Sequence, residues 1–318
     1  MSIGITGVAA AALFSCCCLM VALPASAAAA RGAVSGPRYN AVFNFGDSAS
    51  DTGNTCTDGR PGPAGVVGIF TRLPYGVTYF GKPTCRCSDG RVDIDFLAQA
   101  FGLPFVPPSK AHREDFKQGA NMAIIGGTVL DYTNSSLKFS AYDGSMNTQI
   151  DNFQQLLPSI CGAQQNCEEY LAKSLFVFQM GENDYSIQLV NGSTVDEASK
   201  NIPRIVNTII YGVEELIKLG AVDIVVSNIA PMGCFPLYLN MFESSNKSFE
   251  TALMSCCGKS GAPYRFDLFT MCGMDGSSVC HDPGSHLLWD GMHLSDTANG
   301  RIAEGWLSGP YCHPPILQ

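Results

Sequence analysis

Charge is scarce in this 318-residue chain, at 15% of residues, and basic charge especially so. Nineteen lysines and arginines face 28 acids, no basic cluster occurs, and the net charge is −9. That balance argues against nucleic acid as a partner. Histidine is scarcer still, with five in all, and no pair of C-x-x-C knuckles appears, so the cysteines suit disulfides better than zinc. After residue 30 no apolar run is long enough to cross a bilayer. Internal repeats are absent, and the only biased tract is an alanine-rich leader. What remains is 46% hydrophobic, ample for one large core in a single domain.

Residues 1–30 carry no charge; an apolar stretch from Val8 to Leu23 is followed by Pro24-Ala25-Ser26-Ala27, a small-x-small cleavage pattern. The segment reads as a secretory signal peptide, leaving 31–318 as one domain with no stable membrane span. An uncleaved anchor is the rival reading, since the segment is long enough to span. Of 14 cysteines, Cys16, Cys17 and Cys18 leave with the leader, and eleven remain. Cys161 with Cys167 and Cys272 with Cys280 would close short loops, although spacing alone does not fix connectivity. The odd number leaves at least one thiol over. Sequons at Asn134, Asn191 and Asn246 fit a secreted protein.

Short apolar runs alternate with helical patterns, which predicts an α/β layer architecture with a mainly parallel sheet. Strands are expected at 40–45, 121–125, 174–179 and 222–228. Helices are expected where Val92, Phe96, Leu97, Ala100 and Phe101 share a face, and where Ile150, Phe153, Leu156 and Leu157 do, the latter stopped by Pro158. Another carries Ile205, Ile209, Gly212, Leu216 and Leu219; the last, capped by Ser295, carries Ala298, Ile302, Ala303 and Trp306. Residues 59–81, rich in Gly and Pro, read as a long surface loop near the strand-end serine. Between Ile229 and Trp289 no strand or long helix is expected, an unusual gap for a compact domain.

Two short motifs carry the chemistry. Phe45-Gly46-Asp47-Ser48 closes the first strand and places a serine where the chain must turn. Asp290-Gly291-Met292-His293 precedes the last helix, and its spacing lets Asp290 accept from one imidazole nitrogen while the other faces Ser48. Each alone has an ordinary reading, Gly-Asp-Ser as a turn and Asp290 and His293 as turn and helix-entry residues. The flanks of Ser48 lack the second glycine of a nucleophile elbow. Gly119-Ala120-Asn121 and Gly181-Glu182-Asn183-Asp184 flank strands, and Gly119 N–H and the Asn183 amide are candidate donors to a tetrahedral oxygen.

These four blocks, in this order, resemble the GDSL-type (SGNH) esterase/lipase family, closest to its secreted plant branch. Pro74-Tyr75-Gly76, Arg86-Cys87-Ser88-Asp89-Gly90-Arg91 and Pro231-Met232-Gly233-Cys234 add to the likeness, which runs from Asn40 to Pro314. The resemblance implies a three-layer α/β/α flavodoxin-like fold and serine hydrolysis of carboxylic esters, small or polymer-linked, with no metal or organic cofactor. It assigns Ser48 as nucleophile, Asp290 and His293 as its partners, and the Ser48 N–H, Gly119 and Asn183 as the oxyanion hole. Two departures stand out. The third block is compressed, so Glu182 puts a bulky acid beside Asn183. The stretch leading into Cys256-Cys257 is short, as if a strand and its covering helix were deleted, so the sheet is expected to lack its last strand. A secreted serine esterase is the reading these features favour; an inert ligand-binding relative and an acyltransferase to a sugar or alcohol are the alternatives.

Overall fold

A computed structural model describes residues 18–20, 38–56, 66–112, 114–132, 144–162, 166–242 and 253–318. The leader apart from residues 18–20, the sequons at Asn134 and Asn246, and the shortened stretch from 243 to 252 lie outside the described residues.

Strand β1 is Cys18–Met20, β2 Val42–Gly46, β3 Gly119–Asn121, β4 Leu175–Gln179, β5 Asp223–Val226 and β8 Cys312–His313. These form one sheet in the order β3-β2-β4-β5-β1-β8, in which β3, β2, β4 and β5 run parallel. The place beyond β5 is taken by β1, antiparallel to β5 and parallel to β8, rather than by a strand that follows β5 in sequence. β6 (Cys257–Lys259) and β7 (Ser277–Val279) make a separate two-stranded ribbon.

Side-chain alternation along the strands builds the three layers. Phe43 and Phe45 of β2, Phe176 and Phe178 of β4 and Ile224 of β5 point to one side. There they meet Met146, Ile150 and Phe153 of α2 (Met146–Cys161) and Ile205, Val213 and Leu216 of α6 (Ile202–Lys218). Phe45 stacks on Phe178 at 4.8 Å, and Phe153 stands edge-on to Phe43, Phe45 and Phe176. Val42, Leu175, Val177 and Val225 point the other way, against Ile94 and Leu97 and against Ala303 and Trp306. Those belong to α1 (Asp93–Ala100) and α8 (Asp296–Ser308). This is the expected α/β/α fold.

Four local expectations need correction. β3 sits two residues earlier than the apolar run 121–125, because the ladder ends at Asn121 and only single bonds, Met122 N–H to Asn44 O and Ile124 N–H to Gly46 O, continue beside β2. α2 runs through Pro158, whose ring costs one intrahelical bond. Its last turn is kept by the buried Ile160 and by the Cys161–Cys167 disulfide to α3 (Cys167–Ala172). Among its described residues the Ile229–Trp289 stretch contains one α-helix, the short α7 (Pro236–Phe242), with the ribbon. It has little regular structure because disulfides hold it: Cys256 pairs with Cys280 and Cys257 with Cys272, not Cys272 with Cys280. Cys56–Cys85 is a fourth pair.

Candidate active site

Ser48 lies just beyond the carboxyl end of β2, where ligands of open parallel sheets gather. The strand end is fixed by Gln149 of α2, whose side chain accepts from Gly46 N–H at 2.9 Å and donates to Gly46 O at 2.8 Å. Glycine is required at 46, since a Cβ there would lie 2.3 Å from Ser50 Oγ and 2.8 Å from Gln179 O. The turn is then closed by Asp47, which accepts from Ala49 N–H through Oδ1 and from Asp51 N–H through its carbonyl. Below it, Asn44 donates to Ser50 Oγ and Asn121 Oδ1, and Asn121 donates to Ser50 O, all buried. This buried polar floor fixes the turn, and above it the half-buried Ser48 turns its Oγ toward His293.

His293 and Asp290 come from the turn before α8. Asp290 Oδ1 accepts from the Met292 and His293 amides at 2.8 Å each, and Trp289 N–H donates to His293 O. His293 Nδ1 is 3.0 Å from both carboxylate oxygens, and Nε2 is 3.0 Å from Ser48 Oγ across 245 positions of sequence. With the Nδ1 proton on the Asp290 side, Nε2 can accept the serine proton. Burial alone would depress the imidazole pKa, but the Asp290 charge and hydrogen bond hold it well above the ordinary value. Cys87, a buried free thiol beside the ring, is kept neutral by burial, its pKa pushed up to about 11, so at neutral pH it adds no charge there. Phe70, from the loop expected near the serine, stands edge-on to the His293 ring at 5.6 Å.

The donor side of the site differs from expectation at one residue. Asn183, in the first turn of α4 (Glu182–Val190, followed by the short α5, Val195–Ser199), donates to Gly127 O at 2.9 Å and so lies beside the turn that packs on Gly46 O. Gly119 does not reach it. It pairs with Val42 at the opposite end of β2, roughly 13 Å of strand from Gly46, and its N–H is taken by Phe116 O. Glycine is needed at 119 because a Cβ would sit 2.3 Å from Val42 O. The residue in the right corner is Gly126, with φ +78°. It comes two residues after Ile124, whose N–H bonds Gly46 O, and precedes Gly127, where a Cβ would crowd that carbonyl. Among the described residues nothing accepts the Gly126 N–H, nor that of Ser48. In the sequence Gly126-Gly127 reads only as the stop of the 121–125 strand; the signal that points to it is that a close turn beside the Ser48 strand end needs glycine.

Glu182 does not bring a negative charge to this corner at neutral pH. Burial, then the nearby Asp47, pushes its pKa up to about 8, although His293 and a hydrogen bond with Tyr238 of α7 oppose the rise. Asp47 is pushed up to about 7, mainly by burial. The neighbouring Asp184 is spent on structure, accepting from the Val129 and Leu130 amides at 2.8 and 2.9 Å. Cys256, Cys280 and His286 cluster closely, but the two sulfurs are bonded to each other, so they are not a metal ligand set.

A serine, a histidine and an aspartate in bonded series at the carboxyl edge of this sheet agree with what comparison with known proteins shows. The family profile of the GDSL-like lipase/acylhydrolases matches residues 42–306. The chain belongs to that family. This GDSL chain is therefore a carboxylic ester hydrolase by class. It is 31% identical over 347 residues to a GDSL esterase/lipase of Arabidopsis thaliana, covering 87% of this chain and 92% of the relative. Sinapine esterase of Brassica napus is 29% identical, covering 87% of each protein. Acetylajmalan esterase 2 of Rauvolfia serpentina is 31% identical, covering 88% of this chain and 91% of its own length. Each alignment is longer than the 318 residues of the GDSL chain itself, so the relatives carry residues that face a gap here.

Proposed function

We propose that the protein is a secreted serine esterase that works through an acyl-enzyme on Ser48, within one hydrolase domain spanning residues 31–318. The observation that carries the reading is that the His293 ring bridges the other two residues, its Nε2 3.0 Å from Ser48 Oγ and its Nδ1 3.0 Å from both Asp290 carboxylate oxygens. His293 takes the serine proton as Ser48 attacks the ester carbonyl, then returns it to the leaving alcohol; water, activated by the same imidazole, releases the acid. The oxyanion forms against the Ser48 and Gly126 amides and the Asn183 side chain, with Glu182 held neutral next to it. Relatives named for sinapine and for acetylajmalan support a small-molecule ester as substrate. The uncharged leader, four disulfides and an exposed sequon at Asn191 support export.

The test is covalent capture of Ser48 by a fluorophosphonate, together with hydrolysis of p-nitrophenyl acetate. Ser48→Ala should abolish both while leaving the fold intact. An unlabelled wild-type serine would make the protein an inert relative, and preferential transfer of the acyl group to added alcohols would make it a transferase. N-terminal sequencing of the exported protein tests the leader: a start shortly after Ala27 supports cleavage, whereas a start before Cys18 means β1 is kept.

A further inference from the structure

The Pro74-Tyr75-Gly76 segment has no role in the chemistry described so far, yet Tyr75 ends at its centre. Its Oη lies 2.7 Å from Asp290 Oδ2, a bond between fully buried partners 215 positions apart. We propose that Tyr75 is a positioning residue for ester hydrolysis: its phenol O–H, given to Asp290 Oδ2, fixes the carboxylate that in turn orients His293.

The bonds to Asp290 explain why one donor matters. Oδ1 is occupied by two amides of its own turn, Met292 and His293, and His293 Nδ1 lies equally far from both oxygens. Among the described residues, Tyr75 is the one group outside that turn that donates to the carboxylate. A carboxylate held only from its own loop moves with that loop; one tied to Tyr75 is referenced to the body of the protein. The phenol is also locked. Phe70 and Trp289 stand edge-on to its ring at 5.0 and 6.0 Å. The backbone is fastened by Gly76 N–H to Ser88 O at 3.0 Å. Residue 76 must be glycine, since φ is +72° and a Cβ would lie 2.2 Å from Lys82 O. Phe70 touches both Tyr75 and His293, so one aromatic cluster backs both ends of the aspartate–histidine bond.

The phenol also shares the charge of Asp290, which tunes how strongly the aspartate stabilises the imidazolium. The other titratable groups facing this pair are Cys87, Asp47 and Glu182, and none of them donates to Asp290.

The experiment is Tyr75→Phe, assayed with p-nitrophenyl acetate across pH. The expected result is a kcat about tenfold lower, ~1.4 kcal/mol of barrier, with KM unchanged and the acid limb of kcat/KM moved to higher pH. The upward move follows because Asp290, no longer shared, holds the imidazolium more tightly. Replacing Tyr75 by 3-fluorotyrosine keeps the shape and strengthens the donor, so the limb should move down; this arm stands even where Tyr75→Phe folds poorly. In an Asp290→Asn background, Tyr75→Phe should cost little more. Unchanged kcat and acid limb in both Tyr75 variants, or additive losses with Asp290→Asn, would make Tyr75 a packing residue and overturn the proposal. The inference rests on the serine-esterase reading: if wild-type Ser48 is not acylated, that reading fails, whereas normal acylation with indifferent Tyr75 variants sinks only the role given to Tyr75.

Discussion

The two halves of the candidate site are held by different physics. Ser48, Gly126 and Asn183 hang from the carboxyl ends of β2, β3 and β4, where parallel ladders, buried phenylalanines and the Asn44–Asn121–Ser50 network fix the backbone. Asp290 and His293 follow the Ile229–Trp289 stretch, where regular structure is sparse and covalent links replace it. Cys256 N–H donates to Leu288 O at 3.0 Å and Cys257 N–H to Trp289 O at 2.7 Å, so the two adjacent cystines carry the segment that ends at the aspartate. A serine built on a sheet and a histidine built on disulfides meet at one 3.0 Å contact.

Substitutions on the two sides sharpen this contrast. The largest effect is expected from Asn183→Ala, which removes a donor from the sheet side and should lower kcat on the order of 10²- to 10³-fold. Gly126→Ala should also be severe, because its φ of +78° strains any side chain, whereas the Gly119 backbone stands too far away to alter kcat except through folding. Next comes the disulfide side. Cys257→Ser with Cys272→Ser should cost up to about a hundredfold in kcat, since ~1 Å of displacement at the base is enough. It should also remove roughly 3 kcal/mol of stability for the 15-residue loop, while circular dichroism of the sheet stays native. Phe153→Ala should do the reverse, lowering stability by about 3–5 kcal/mol with a smaller effect on the activity of the folded fraction. If both variants lose sheet signal and activity together, the two halves are one unit and the comparison breaks.

The smallest effects are in the pH profile. Asp290 raises the His293 pKa, so the ascending limb should lie above pH 6.5, higher than an ordinary histidine would place it. Glu182 is neutral below about pH 8 and ionises above it, placing an anion beside Asn183, so activity should fall as pH rises through that range. Glu182→Gln cannot ionise and should flatten the descending limb while leaving the ascending one in place. A descending limb that survives in Glu182→Gln would assign it to another group.

Much of this was legible in the sequence because it rests on local patterns. The phenylalanine-rich strands, the Ser295 cap of α8 and the Asp290-x-x-His293 spacing each need only a few neighbouring residues to be read, and they fell where expected. Gly119 misled because two glycines near β3 each have a reason to be glycine, Gly119 a close carbonyl and Gly126 its positive φ, and only the pairing with β2 shows which end each faces. Pro158 misled because a proline breaks a helix only when nothing else repays the lost bond, and here burial of Ile160 and a disulfide do. Connectivity of Cys256 and Cys257 was open since adjacent cysteines can exchange partners without changing any spacing. Glu182 looked like an intruding charge because sequence names a residue without its solvent, and burial decides its protonation.

The paired cystines also bear on when such an enzyme starts to work. A newly made chain in a thiol-rich compartment could already fold its sheet and present Ser48, yet its base would dangle on an unfastened segment. Competence would then arrive with oxidation, as the last covalent step that fastens the histidine side of the site to the sheet side.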